Sequence, residues 1–205
     1  MYSILGENIN IHNHIIMYSI TIKQNNNTTN ITAINSTIYT TTITVANKNI
    51  KGKIIFTNFE ELKKIKCSYN NITDVNDLPN TIEELDCSYN DIEKLDNLPE
   101  NLIKLYCHNN EIIELNNLPS GLKYLGCSDN KIKSLENLPI TLEILNCMFN
   151  ELTNLDYLPN SIEILYCDNN VVSDNLPSSI SVIRCEELDK SKILNLPKKT
   201  RTMFY

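Results

Sequence analysis

Along most of this chain the apolar positions follow neither the 3.6-residue rhythm of a helix nor a plain alternation, but a frame that returns every twenty residues. One turn of it reads Ile82, Leu85, Cys87, Asn90, Ile92, Leu95, Leu98 and Pro99, with polar residues in most of the gaps. Leu-Pro pairs mark the frame at Pro79, Pro99, Pro119, Pro139 and Pro159, then at Pro177 after eighteen residues, and again at Pro197. Cysteines keep the same step at Cys67, Cys87, Cys107, Cys127, Cys147 and Cys167, then at Cys185 after eighteen. Three residues beyond each of the first six stands an asparagine: Asn70, Asn90, Asn110, Asn130, Asn150 and Asn170. A segment this short cannot bury a core alone, so the pattern predicts stacked coils. Each would hold one short strand, paired in parallel with the strands above and below, with the apolar positions turned into a shared core.

Each coil turns in about six apolar side chains, worth roughly 1.5–3 kcal/mol apiece when buried. Where the chain leaves the strand and bends, buried carbonyls and amides lose their ladder partners. An asparagine side chain carries both a donor and an acceptor to satisfy them. Proline after the last inward leucine removes a donor and favours an extended return, and twenty residues leave little room for a helix there. The return side is therefore expected to be extended or in short 3₁₀ segments.

The frame L-x-x-L-x-C-x-x-N-x-I-x-x-L-x-x-L-P resembles the leucine-rich repeat, L-x-x-L-x-L-x-x-N/C-x-L, with cysteine in the slot of the third leucine, over about residues 59 to 190. The twenty-residue length and the Leu-Pro pair are most similar to the short repeat class of secreted bacterial effectors. The composition is similar to that of leucine-rich-repeat proteins of giant DNA viruses of amoebae. The resemblance implies a mainly β solenoid, with a parallel sheet on its concave side and extended or 3₁₀ segments on its convex side.

A cysteine flanked by Leu85 and Ile92 points inward and behaves as a small hydrophobe. Seven cysteines cannot all pair, and free thiols in a reducing compartment are the simpler reading. His108 follows Cys107 directly, but neighbouring strand residues face opposite ways, so the two do not form a dyad. One cysteine per coil supplies no closely spaced zinc pair. No catalytic residue, metal or cofactor is expected. Adjacent coils would place cysteine α-carbons about 4.8 Å apart, side by side rather than facing, so oxidation is expected to distort the sheet.

The flanks break the frame. Residues 1–55 have few charges and contain alternations such as "TIYTTTITV", which predict strands and a β-rich N-terminal cap or degenerate repeats. Within them Ile43, Val45 and Ile50 fall on the repeat spacing, with Lys48 in the asparagine slot. The solenoid is assigned to residues 56–190, about seven coils, and residues 191–205 to a C-terminal cap or basic tail. Leu188 takes the asparagine slot at that end, where the ladder is expected to stop. His12 and His14 would share one face of a strand, but they lack carboxylate or cysteine neighbours and read as incidental.

The chain has 205 residues, a formal charge of -7 and a pI near 5.0, a field that repels phosphate backbones, so nucleic acid is not the expected partner. No run approaches eighteen apolar residues, and "MYSILGENINIHNHIIMYSI" lacks the apolar centre of a signal peptide. The expectation is a protein of the cytoplasm, the host's if the source is viral, with no membrane contact. The 32 asparagines in an isoleucine-rich background read as AT-rich coding.

The concave strand positions are where a partner would sit. They read Lys64, Glu84, Lys104, Tyr124, Ile144, Ile164 and Val182 in one column. The next reads Lys66, Asp86, Tyr106, Gly126, Asn146, Tyr166 and Arg184. With Met148 and Phe149 beside them, the later coils group aromatic and apolar side chains as protein-binding hot spots do. Tyr106, Tyr124, Ile144, Met148, Phe149, Ile164 and Tyr166 are the expected contacts of a protein partner. A non-enzymatic interaction scaffold is the leading reading. A structural or particle-associated viral protein, or the substrate-recognition module of an effector or ubiquitin-ligase system, would share this sequence; a ligase would need a further catalytic domain.

Overall fold

The computed structural model describes residues 3–4, 20–25, 27–33, 41–168, 176–185 and 200–204. Its spine is a nine-stranded parallel sheet made of very short strands. In chain order these are β4 (Thr42–Thr44), β6 (Lys64–Lys66), β8 (Glu84–Asp86), β9 (Lys104–Tyr106), β10 (Tyr124–Gly126), β11 (Ile144–Asn146), β12 (Ile164–Tyr166), β13 (Val182–Cys185) and β14 (Arg201–Phe204). Each pairs with the next in register, so Leu85 lies beside Leu105 and Leu105 beside Leu125. The middle residue of every strand from Ile65 to Ile183 is at most 1% exposed, as are the cysteines that follow up to Cys167. Alternation therefore turns the residues on either side of it to the outer face.

The return side is built differently along its length. In the first two coils it is a strand, β5 (Lys51–Thr57) and β7 (Asn71–Asp74), and these belong to a second, five-stranded sheet. That sheet is completed by β1 (Ser3–Ile4), β2 (Ile20–Asn25) and β3 (Thr28–Ala33), where β2 and β3 form an antiparallel hairpin and β3 runs parallel to β5. From the third coil to the sixth the return side is extended and forms no strand, with an isolated bridge at Asn154. One backbone hydrogen bond joins it to the coil before, as from Glu111 N–H to the Ile92 carbonyl (2.9 Å). The returns that end at Pro79 through Pro177 each close on a single turn in which the proline carbonyl accepts the N–H three residues on, Pro99 from Leu102 at 3.0 Å. Neither α-helix nor 3₁₀-helix occurs among the described residues.

Both ends carry a strand beyond the clear repeats. At the N-terminal end β4 pairs in parallel with β6, and Ile43, Val45 and Ile50 are buried as their equivalents are in later coils. At the other end Arg201–Phe204 adds to β13 in parallel, so the sheet runs on one strand past Cys185. Asn170, Leu188, His12, His14 and most of the basic tail lie outside the described residues.

The coil corners explain much of the asparagine content. Asn110 Nδ2 donates to the carbonyls of Cys107 (3.0 Å) and His108 (3.3 Å) in its own coil and of Cys87 (3.1 Å) in the one before. Its Oδ1 accepts Ile92 N–H at 3.0 Å. Asn70, Asn90, Asn130 and Asn150 repeat the arrangement, which is the donor-acceptor role expected of them. Other asparagines sit at φ between +52° and +69°, including Asn47, Asn97, Asn109, Asn117 and Asn137. There the short polar side chain tolerates the left-handed backbone better than most. Coding bias is thus not the whole account of this residue.

Candidate functional site

The outer face of the long sheet is a broad surface to which each of its nine strands contributes. Register places Tyr124, Ile144, Ile164 and Val182 in one file, and Tyr106, Gly126, Asn146, Tyr166 and Arg184 in the file beside it. Of the seven expected contacts, Phe149 is 49% exposed; Tyr106, Tyr124, Ile144, Met148, Ile164 and Tyr166 are half-buried. Phe149 stands at the corner, its N–H on the Asp168 carboxylate (2.6 Å) and its φ at +53°.

Two features of this face depend on contacts across coils. Gly126 is buried, and a Cβ there would lie 3.3 Å from the Tyr124 ring and 3.8 Å from that of Tyr106. The missing side chain lets the tyrosines fold over the strand, with centroids 4.6 Å apart and planes tilted by 38°. At the far end the Arg184 guanidinium lies 5.3 Å from the Tyr166 centroid, a cation-π contact that ties β12 to β13. A lone glycine in a file of large residues signals such a close approach. The side-chain overlap itself is invisible without the coil spacing.

Charge is segregated along the face. The first coils carry Lys64 and Glu84, paired at 3.2 Å, with Lys66, Asp86 and Lys104 around them. Burial, then the carboxylates of Glu84 and Asp86, push the Tyr106 phenol above its ordinary value. Burial does the same for Tyr124. Both therefore stay neutral donors near neutral pH, on a surface that offers area and hydrogen bonds rather than a charged reactive group.

The cysteines lie under this face, not on it. Cys127 is buried, its thiol donating to the Asn146 carbonyl (3.3 Å), and burial pushes its pKa up to about 12. Burial raises Cys67, Cys87, Cys107 and Cys147 as well. His108 points away from Cys107: its Nδ1 is 2.9 Å from Ser88 Oγ and its ring meets Tyr89 edge-on at 5.2 Å. No group of three or more His, Cys, Asp and Glu among the described residues is placed to hold a metal.

Comparison with solved structures fits this geometry. YopM from Yersinia enterocolitica matches with a TM-score of 0.65 and 30% identity over 75% of this chain and 36% of its own. The leucine-rich-repeat domain of a Shigella effector matches at 0.55 and 26%, over 71% of this chain and 72% of the domain. The chain has the fold of a leucine-rich-repeat solenoid. The functional domain of InlJ from Listeria monocytogenes, which includes a cysteine ladder, shares the fold at 0.54 and 24% identity, over 78% of this chain and 43% of its own. No protein-family model and no curated protein matched the sequence. The leucine-rich-repeat solenoid spans about a third of the length of YopM, and its neighbours are repeat proteins of a kind that serve in general as interaction scaffolds. No helix among its described residues is long and apolar enough to cross a membrane.

Proposed function

We propose that this solenoid is a non-enzymatic scaffold that seats a protein partner on the concave face of the long sheet, over β9 to β12. The observation that carries the reading is the contiguous patch of Tyr106, Tyr124, Ile144, Ile164 and Tyr166, half-buried yet facing outward, beside exposed Phe149. Grouped aromatic and aliphatic side chains around a shallow floor are what interface centres are made of, whereas a merely solvated sheet face would be polar. The salt-bridged coils before it supply a polar border that would govern association rate and salt dependence. Buried, reduced thiols support residence in a reducing compartment, the cytoplasm of the cell or of a host.

The test is affinity capture with the intact chain beside Tyr166→Ala and Phe149→Ala. An aromatic anchor commonly contributes 2 kcal/mol or more, so each should weaken a captured partner roughly thirtyfold. Lys131→Ala on the return side should bind as the parent does. Partners that bind both aromatic variants normally, but are lost on changing Tyr69 or the N-terminal hairpin, would place the site elsewhere.

A further inference from the structure

The seven thiols are not equivalent. Cys87, Cys127 and Cys147 each donate to the carbonyl of the next strand, at 3.5, 3.3 and 3.3 Å. Cys167 departs from that arrangement, and its Sγ lies 3.0 Å from Cys185 Sγ. The two follow directly on the register pairs Leu165–Ile183 and Tyr166–Arg184, and Cys167 N–H donates to the Arg184 carbonyl at 3.1 Å. Parallel neighbours of this kind stand about 4.8 Å apart at Cα, inside the range a disulfide spans. The shortened step of eighteen residues ends at this pair. The expectation that neighbouring cysteines lie side by side without facing fails here, because these two sulfurs point at each other.

We propose that Cys167 and Cys185 form an oxidisable pair, the one place among the described residues where the thiol ladder closes to a disulfide, and that a peroxide is its oxidant. The hydrogen bond between the two thiols lowers Cys185 below the ordinary thiol value and raises Cys167, so Cys185 is the nucleophile. Its thiolate attacks one peroxide oxygen, the O–O bond breaks, and the departing hydroxide takes a proton to become water. The Cys167 sulfur then attacks the sulfenic sulfur. Its proton leaves with the displaced hydroxide as a second water, and the S–S bond forms. Two thiols lose two electrons and one peroxide becomes two waters. The bond would tie β12 to β13 next to the Tyr166–Arg184 contact and so stiffen the end of the proposed binding face.

The experiment treats the folded, fully reduced chain with one equivalent of hydrogen peroxide, counts free thiols, and maps peptides without reduction. Two of the seven thiols should disappear, with Cys167 and Cys185 in one linked peptide. Tm should rise by about 6 °C and return on adding dithiothreitol. Cys127→Ser should behave as the parent does, and Cys167→Ser should form no link. Links spread over other neighbours, or thiols untouched until denaturant is added, would overturn the assignment; so would a link that lowers Tm, since the bond would then distort the sheet. If Cys167→Ser does not fold, the peptide map of the parent chain decides alone.

Discussion

At the corners marked by Asn70, Asn90, Asn110, Asn130 and Asn150 a single amide side chain satisfies backbone groups where the strand ends. Removing Asn110 would strand Ile92 N–H in a buried corner and leave the carbonyls of Cys87, Cys107 and His108 with one donor fewer each. Asn110→Ala should therefore destabilise the protein by roughly 2–3 kcal/mol. Lys131, paired with Glu111 on the exposed return side where solvent screens the pair, should cost far less than this when truncated. Denaturant titrations of the two variants compare them directly; similar shifts would mean the ladder is not what holds the corners. Strain makes the complementary point. Tyr69, Tyr89 and Phe149 occupy the left-handed position that Asn109 and Asp129 fill in other coils, at φ of +57°, +54° and +53°. All three are exposed, and only the first two gain a stack, with centroids 4.2 Å apart. Among the described residues Phe149 has no ring contact of that kind, so replacing it by Asn should leave stability unchanged or raise it by up to about 1 kcal/mol. A clear loss in a melting curve would show that the ring packs on the fold rather than serving a partner.

Among the elements, the N-terminal hairpin depends on one glycine. Gly52 has φ +71° and sits where a Cβ would lie 2.1 Å from the Asn27 carbonyl oxygen, which accepts Lys53 N–H at 2.6 Å. The β2–β3 turn can dock on the first coil only because that side chain is missing. Gly52→Ala should release the hairpin while sparing the coils beyond it. In hydrogen exchange, amides of Thr28–Ala33 should lose protection and those of Leu105, Leu125 and Leu145 should keep it; unchanged protection in β3 would mean the hairpin docks by other contacts. This element also marks the limit of what the sequence reveals. The coils from Ile65 to Leu165 are legible because each repeats one buried column, so that period and register follow from spacing alone. A β-rich N-terminus is legible from alternation, but its pairing with the return strands is not, since Gly52 and Asn27 are brought together only by the fold. The same division holds at the candidate site. Files of outward residues can be written down from the period, yet the Tyr124 ring over Gly126 and the meeting of Cys167 with Cys185 depend on shapes that differ from one coil to the next.

For the molecule as a whole, the thiol ladder provides a measure of how many coils unfold together. Cys67, Cys87, Cys107, Cys127 and Cys147 sit in successive coils, and burial raises the pKa of each above the ordinary thiol value, to about 12 at Cys127. The folded chain thus keeps protons that the unfolded chain gives up. The stability these thiols confer is complete below the unfolded value, near 8.5, and is lost as pH rises from there toward the folded values. Each thiol should contribute a slope of about 1.4 kcal/mol per pH unit within that window. Tyrosines and lysines titrate in the same range, so the informative quantity is the difference between the parent and a variant lacking one thiol. Asparagines that bond to two coils, and strands that pair with both neighbours, couple each coil to the next, so the solenoid should unfold in one transition. In that case Cys87→Ala, Cys107→Ala and Cys127→Ala should each lower the pH slope of that single transition, between pH 9 and 10.5, by the same amount of about one proton. If the coils instead unfold in groups, the denaturation curve will divide, and each variant will change only the phase that contains its own coil.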